Sequence, residues 1–165
     1  MIPIIGVDFD ATLVEHEYPE IGKPVPGALD WLHRFKAEGA RLILWTMRSG
    51  AQLEEATKYI ESHGIELFGV NENPEQDSWT KSPKAYAHIY IDDSAFGCPM
   101  IEIDGIAMAD WSKIGPSVLV RIREEAAKGG GIKGDCERCQ HEAEDHDDYG
   151  NGACKLCRCD KFGHS

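Results

Sequence analysis

Ile2-Pro3-Ile4-Ile5-Gly6-Val7-Asp8-Phe9-Asp10-Ala11-Thr12-Leu13 runs from an apolar segment straight into two carboxylates one residue apart. Residues 2 to 8 are short, rich in branched apolar side chains and end on an acid, which reads as a buried strand. Pro3 is tolerable at a strand start. Outward from this segment the period changes. Residues 26 to 38 read as a helix, with Leu29, Leu32, Phe35 and Lys36 at helical spacing and Gly39 as its stop. Arg41-Leu42-Ile43-Leu44-Trp45-Thr46 is a second apolar strand. A helix follows near 50 to 63, with Leu53, Ala56, Thr57 and Ile60 on one face and Gly64 at its end.

A third short strand is expected at Leu67 to Val70, then a loop over 71 to 83 marked by Asn71, Asn73, Pro74 and Pro83. His88-Ile89-Tyr90-Ile91 is a further strand, and it too runs into acids, Asp92 and Asp93. Brief strands near 100 to 103 and 106 to 109 and a closing helix over 115 to 127 complete the pattern. Strands alternating with helices predict βαβ units and a parallel sheet. Their uniformly apolar character agrees, because such sheets are covered on both faces. The expected fold is α/β, a Rossmann-like parallel sheet with helices on both faces. Right-handed crossovers then align the carboxyl ends of the strands along one edge, where ligands of open α/β sheets bind. Asp8, Thr46 and Asp92 are expected to meet there.

The chain has 165 residues, 42% of them apolar and 28% charged, with a formal net charge of -12. That is enough for one core plus a small appendage and is unlike a disordered acidic polymer. The negative charge disfavours an extended nucleic-acid footprint, which depends on clustered Lys and Arg. No run is long enough to span a bilayer, and the first residues lack the features of a signal peptide, so a cytoplasmic protein is expected. Gly129, Gly130, Gly131 and Gly134 mark a linker. The expected organisation is a catalytic domain over 1–128, a Gly-rich linker over 129–134 and a Cys-rich module over 135–165.

Two acids one residue apart at a strand end can approach a single cation. One carboxylate can attack phosphorus; the other can protonate the leaving group and later activate water. Such a crowd of carboxylates calls for a cation, and Mg2+ suits all-oxygen ligands and phosphate esters. An acidic turn after a strand is the plainer reading of Asp8 and Asp10 taken alone.

The other motifs add to this. Asp8-Phe9-Asp10-Ala11-Thr12-Leu13 resembles the first motif of the haloacid dehalogenase-like (HAD) hydrolases, and Thr46 after Leu42-Ile43-Leu44-Trp45 resembles their second. Lys84 stands before the last strand of the set as their third-motif lysine does, and Asp92-Asp93 resembles the acidic fourth motif. The likeness covers roughly residues 2 to 110 and is nearest to short bacterial and phage members without a cap. Trp45-Thr46-Met47-Arg48 and Val70-Asn71-Glu72-Asn73-Pro74 are similar to segments of that subgroup. The resemblance implies a Mg2+-dependent phosphomonoester hydrolase acting through an aspartyl-phosphate. Asp8 would be the nucleophile and Asp10 the general acid and base, also offering a carbonyl to the ion. Thr46 would bond a phosphoryl oxygen, Lys84 would offset charge on Asp8, and Asp92 and Asp93 would complete the metal site with Asp8 and Asp10. Thr12 and Arg48 are candidate substrate contacts; Arg48 reads equally as a solvated arginine at a helix start. Lys81 is a rival to Lys84, and the spacing to the following strand favours Lys84. The expected substrate is a small phosphorylated molecule. The family usually carries glycine where this chain has Ala11, and alanine restricts the backbone there.

In the tail, Cys136-Glu137-Arg138-Cys139 and Cys154-Lys155-Leu156-Cys157 are two Cys-x-x-Cys knuckles, separated by fourteen residues. That spacing is near the range for a four-cysteine zinc site, and Zn2+ binding would supply most of the module's folding free energy. His141, His146 and Cys159 are alternative ligands. The expected module is zinc-ribbon-like, structural, and a possible contact for a protein partner. Two rival functions follow: a non-catalytic adaptor that keeps the scaffold and recruits partners through the tail, and a phosphatase acting on nucleic-acid ends.

Overall fold

Val7 lies level with Leu44 on one side and Ile91 on the other, so three apolar strands end at the same height. In the computed structural model, which describes residues 2–128, these strands are β1 (Ile4–Val7), β2 (Arg41–Leu44) and β4 (Ile89–Ile91). With β3 (Gly69–Val70) they form a parallel sheet in the order β3-β2-β1-β4. Helix α1 (Ala28–Ala37) joins β1 to β2, and α2 (Gly50–Ser62) joins β2 to β3. Strands β5 (Met100–Ile103) and β6 (Ile106–Ala109) pair antiparallel as a separate hairpin. Its turn is Asp104-Gly105, both with positive φ, as a two-residue hairpin turn requires. Helix α3 (Trp111–Lys128) follows. Residues Ile2–Ala126 form one compact unit.

The sheet has two differently covered faces. Ile5, Val7, Leu42 and Leu44 project into the main core, where they join Leu32 and Phe35 of α1, Ala56 and Ile60 of α2, and Trp111, Ile114, Val118 and Ile122 of α3. Ile4 and Ile43 project the other way and pack with Ala87 and Phe68. Among the described residues, the helices therefore contribute to one face of the sheet, and the expectation of helices on both faces is corrected. The β3–β4 connection explains the difference. It contains Pro74 and Pro83, which lack the backbone donor a helix needs, and it forms only a short 3-10 turn at Gln76–Ser78. The connection is instead tied down by Tyr90, whose hydroxyl donates to the Ala85 carbonyl at 2.6 Å and accepts from the Ala87 N–H at 3.0 Å. Gly6 makes room for that ring: a Cβ there would sit 3.1 Å from Tyr90 Cδ1.

Helix α3 begins at Trp111, four residues earlier than the expected start at 115. Asp110 supplies the start. Its Oδ1 accepts from the Ser112 N–H and hydroxyl, and its Oδ2 pairs with Lys113 at 2.7 Å. A carboxylate in this position satisfies helix N-terminal donors and complements the helix dipole. The proline then falls early in the helix. No helix among the described residues is long and apolar enough to cross a membrane. The expected linker at 129–134 and Cys-rich module at 135–165 lie outside the described residues, as do Cys136, Cys139, His141, His146, Cys154, Cys157 and Cys159.

Candidate functional site

Because the strands are parallel and end level, the residues just past them form one row. Asn71, Thr46, Asp8 and Asp92 follow β3, β2, β1 and β4 in that spatial order. Backbone bonds hold the row in place: Asn71 N–H to the Leu44 carbonyl, Trp45 N–H to Val7 and Asp8 N–H to Ile91, each 2.8 Å. The convergence of Asp8, Thr46 and Asp92 expected from the apolar runs is thus present.

Asp8, Asp92 and Asp93 each offer a carboxylate oxygen within 4.8 Å of the others. Thr12 ties this group together. Its buried hydroxyl donates to Asp8 Oδ2 at 3.1 Å and accepts from the Asp93 N–H at 3.1 Å. Burial pushes the Asp8 carboxyl up to about 7, with Asp92 and Asp93 adding to the rise against the bonds from the Phe9 backbone and Thr12. Asp93 is raised as well, by burial first and by Asp92 second. Three carboxyls are crowded into a half-buried space, where Asp92 and Asp93 disfavour charge on Asp8 and Asp92 disfavours it on Asp93. The donor set is all oxygen and anionic, the combination that suits a hard divalent cation.

Asp10 stands apart from this group. Arg48 grips both of its oxygens, Nε to Oδ2 at 2.8 Å and Nη2 to Oδ1 at 2.7 Å. Arg48 also donates to the carbonyls of Pro19 at 2.8 Å and Glu20 at 2.7 Å. Its guanidinium lies over the rings of Phe9 and Tyr18, 5.0 and 5.3 Å from their centroids. The side chain is 1% exposed, and the bond to Asp10 raises its already high pKa further. This corrects the reading of Arg48 as a substrate contact or a solvated arginine. Four of the five N–H donors of a guanidinium are already spent inside the protein. Thr12 is likewise committed to the acidic group rather than open to a ligand.

Thr46 is buried at 8% exposure, and its hydroxyl accepts from the Arg48 N–H at 3.2 Å. Lys84 is not brought to the carboxylates. It is exposed, and its ammonium sits 5.6 Å from the Tyr90 ring centroid. Lys81 pairs with Asp77. Ala11 has φ 56°, so alanine occupies a left-handed backbone position that glycine would enter freely.

Asn71, which the sequence offers first as a turn former and second as a shaper of the site edge, has φ 55° and uses its amide on the Thr46 peptide. Sequence reasoning missed a further feature. The Arg48–Asp10 pair spans 38 positions, and no local pattern announces it. The segment between Asp10 and α1 is short. Residues 13–15 and 23–25 bond across it, Glu15 N–H to Lys23 and Val25 N–H to Leu13.

No family model and no curated protein matches the chain. A solved structure does, that of a conserved protein from Bacteroides thetaiotaomicron. The two share 33% identity over 73% of this chain and 93% of that one, with a TM-score of 0.62. Likeness of that extent in both sequence and fold makes this chain a member of the same family as the conserved Bacteroides protein.

Proposed function

We propose that the protein is a HAD-like, Mg2+-dependent phosphomonoester hydrolase that works through an aspartyl-phosphate on Asp8. One observation carries this reading: at the carboxyl edge of a parallel sheet, Asp8, Asp92 and Asp93 present oxygens within 4.8 Å of one another, beside Thr46 of the next strand. Asp8, Asp92 and Asp93 would hold Mg2+, which when bound neutralises carboxylate and phosphoryl charge. Asp8 Oδ1 is then the nucleophilic atom, because Oδ2 accepts from Thr12. Asp10 is the acid for the leaving group and the base toward water. A Thr46 hydroxyl that accepts from the Arg48 N–H keeps its own proton to donate to a phosphoryl oxygen. The substrate in this reading is a small phosphorylated molecule.

The test is turnover of p-nitrophenyl phosphate and a panel of natural phosphate esters with Mg2+. Asp8→Asn is expected to lose at least about 1000-fold in kcat. Equal turnover by the two proteins, or none on any ester, would sink the reading.

An exposed Lys84 ammonium lying beside the Tyr90 ring favours a second reading, a non-catalytic adaptor on the same scaffold. In either case the tail cysteines, Cys136, Cys139, Cys154 and Cys157, would hold a structural Zn2+, with about one zinc per chain expected on metal analysis.

A further inference from the structure

The Arg48 side chain is buried with four of its five donors engaged: it binds a candidate catalytic carboxylate with one edge and a loop backbone with the other. A planar guanidinium makes two parallel bonds to a carboxylate, so it sets the tilt of Asp10 as well as its place. The same plane is fixed from outside by the carbonyls of Pro19 and Glu20 and by the rings of Phe9 and Tyr18. The Arg48 backbone N–H, in turn, bonds the Thr46 hydroxyl. One residue therefore links the second motif, the 15–24 loop and Asp10.

We infer that Arg48 is a positioning residue: it aims the Asp10 carboxyl at the leaving-group oxygen and makes that aim depend on the 15–24 loop, without itself touching substrate. This rests on the phosphatase reading above. In the step concerned, a lone pair of Asp8 Oδ1 forms the new bond to phosphorus. The bond from phosphorus to the ester oxygen breaks, and a proton that Asp10 has first taken up from water passes to that oxygen, which leaves as the alcohol while Asp10 returns to the carboxylate that Arg48 pairs. Dependence on Asp10 must grow with the basicity of the leaving oxygen. A nitrophenolate leaves with little help, whereas an alkoxide needs the proton. A residue that acts through Asp10 inherits the same dependence.

The experiment compares the wild type, Arg48→Lys, Arg48→Ala, Asp10→Asn and the double variant Arg48→Lys/Asp10→Asn on p-nitrophenyl phosphate and on an alkyl phosphate. Arg48→Lys keeps the charge but loses the paired geometry, and it serves if Arg48→Ala does not fold. The expected result for Arg48→Lys is a fall of about 100-fold in kcat on the alkyl ester. The fall on the aryl ester should be under about 10-fold, with KM little changed on both. The double variant should be no slower than Asp10→Asn, because residues acting as a unit are not additive. A second readout needs no turnover: Asp10→Asn and Arg48→Lys should both speed cleavage after Glu17 and Glu20 by a glutamate-specific protease. Equal losses on the two esters would overturn the inference in favour of a structural role. A rise in KM with kcat unchanged would overturn it in favour of direct substrate contact. So would an Asp10 variant that leaves loop cleavage untouched. A wild type inactive on both esters overturns the phosphatase reading and this inference together; an active wild type with any of the other results overturns this inference alone.

Discussion

The Asn71 side-chain amide clasps the Thr46 peptide from both sides, Oδ1 accepting from the Thr46 N–H and Nδ2 donating to the Thr46 carbonyl, both at 2.8 Å. Two adjacent strand ends are joined this way just past the point where their ladder stops. Asn71 does so with φ 55°, which asparagine tolerates better than most residues. Asn71→Gly keeps the backbone and removes the clasp, so it is expected to cost about 1–3 kcal/mol for the half-buried groups left unpaired. Asn71→Ala should cost about 1 kcal/mol more, for the strained φ. Urea titrations of the two variants check this; equal losses would remove the backbone part of the account.

Ala11 offers the opposite case. Its φ of 56° carries a steric cost that a glycine would not. Ala11→Gly is therefore expected to stabilise the protein by about 0.5–1 kcal/mol, against the usual direction of such a change. Thermal or urea unfolding measures it. Destabilisation would mean that burial of the Ala11 methyl outweighs the backbone strain.

Asp8 sets a pH dependence in metal-free protein. Its folded pKa, about 7, lies above the ordinary 3.8, so between those values the folded state binds the extra proton. Stability is then greatest at the acid end of this window and falls as pH rises toward 7. Asp93 is shifted in the same direction. The Asp8 contribution is on the order of 4 kcal/mol at its upper limit. Urea midpoints in the presence of chelator at pH 5 and pH 8 should show the fall, and Asp8→Asn should flatten it. A midpoint that rises over this range in the wild type, with Asp8→Asn unchanged, would contradict it.

Mg2+ should reverse that penalty. At 100-fold over its Kd, an ion that binds only the folded state adds about 2.7 kcal/mol. A rise in melting temperature with millimolar Mg2+ is expected for the wild type at pH 8, lost in Asp93→Asn or Asp92→Asn. The variant with the larger loss identifies the carboxylate that matters more to the ion. Equal rises in all three proteins would place the ion elsewhere.

Much of the fold was legible because it is written locally. Ile4 to Val7, Arg41 to Leu44 and Ile89 to Ile91 are apolar runs closed by polar residues, and each became a strand. Parallel pairing then carried Asp8, Thr46 and Asp92 to one edge without further information. The site's internal wiring was not legible. Whether Arg48 faces solvent, substrate or Asp10 is decided by contacts across 29 and 38 positions, to Pro19 and Asp10. Lys84 had the right spacing from β4, but spacing does not say which way an exposed four-carbon chain lies, and it lies on Tyr90. The single-faced helices escaped for a related reason. Alternation counts segments, and it does not say which face each crossover covers, even where Asn71, Asn73, Pro74 and Pro83 mark one crossover as a loop.

Trp111 opens the last helix, yet its indole N–H donates to the Thr12 carbonyl at 2.7 Å, in the loop that bears Asp8 and Asp10. The ring is 1% exposed. A shortened chain that stops before residue 111 would strand that carbonyl and open a hole the size of an indole beside the loop that carries Asp8. Trimming into this segment is thus not a peripheral edit: the helix that begins at Trp111 is the floor on which the opening loop stands.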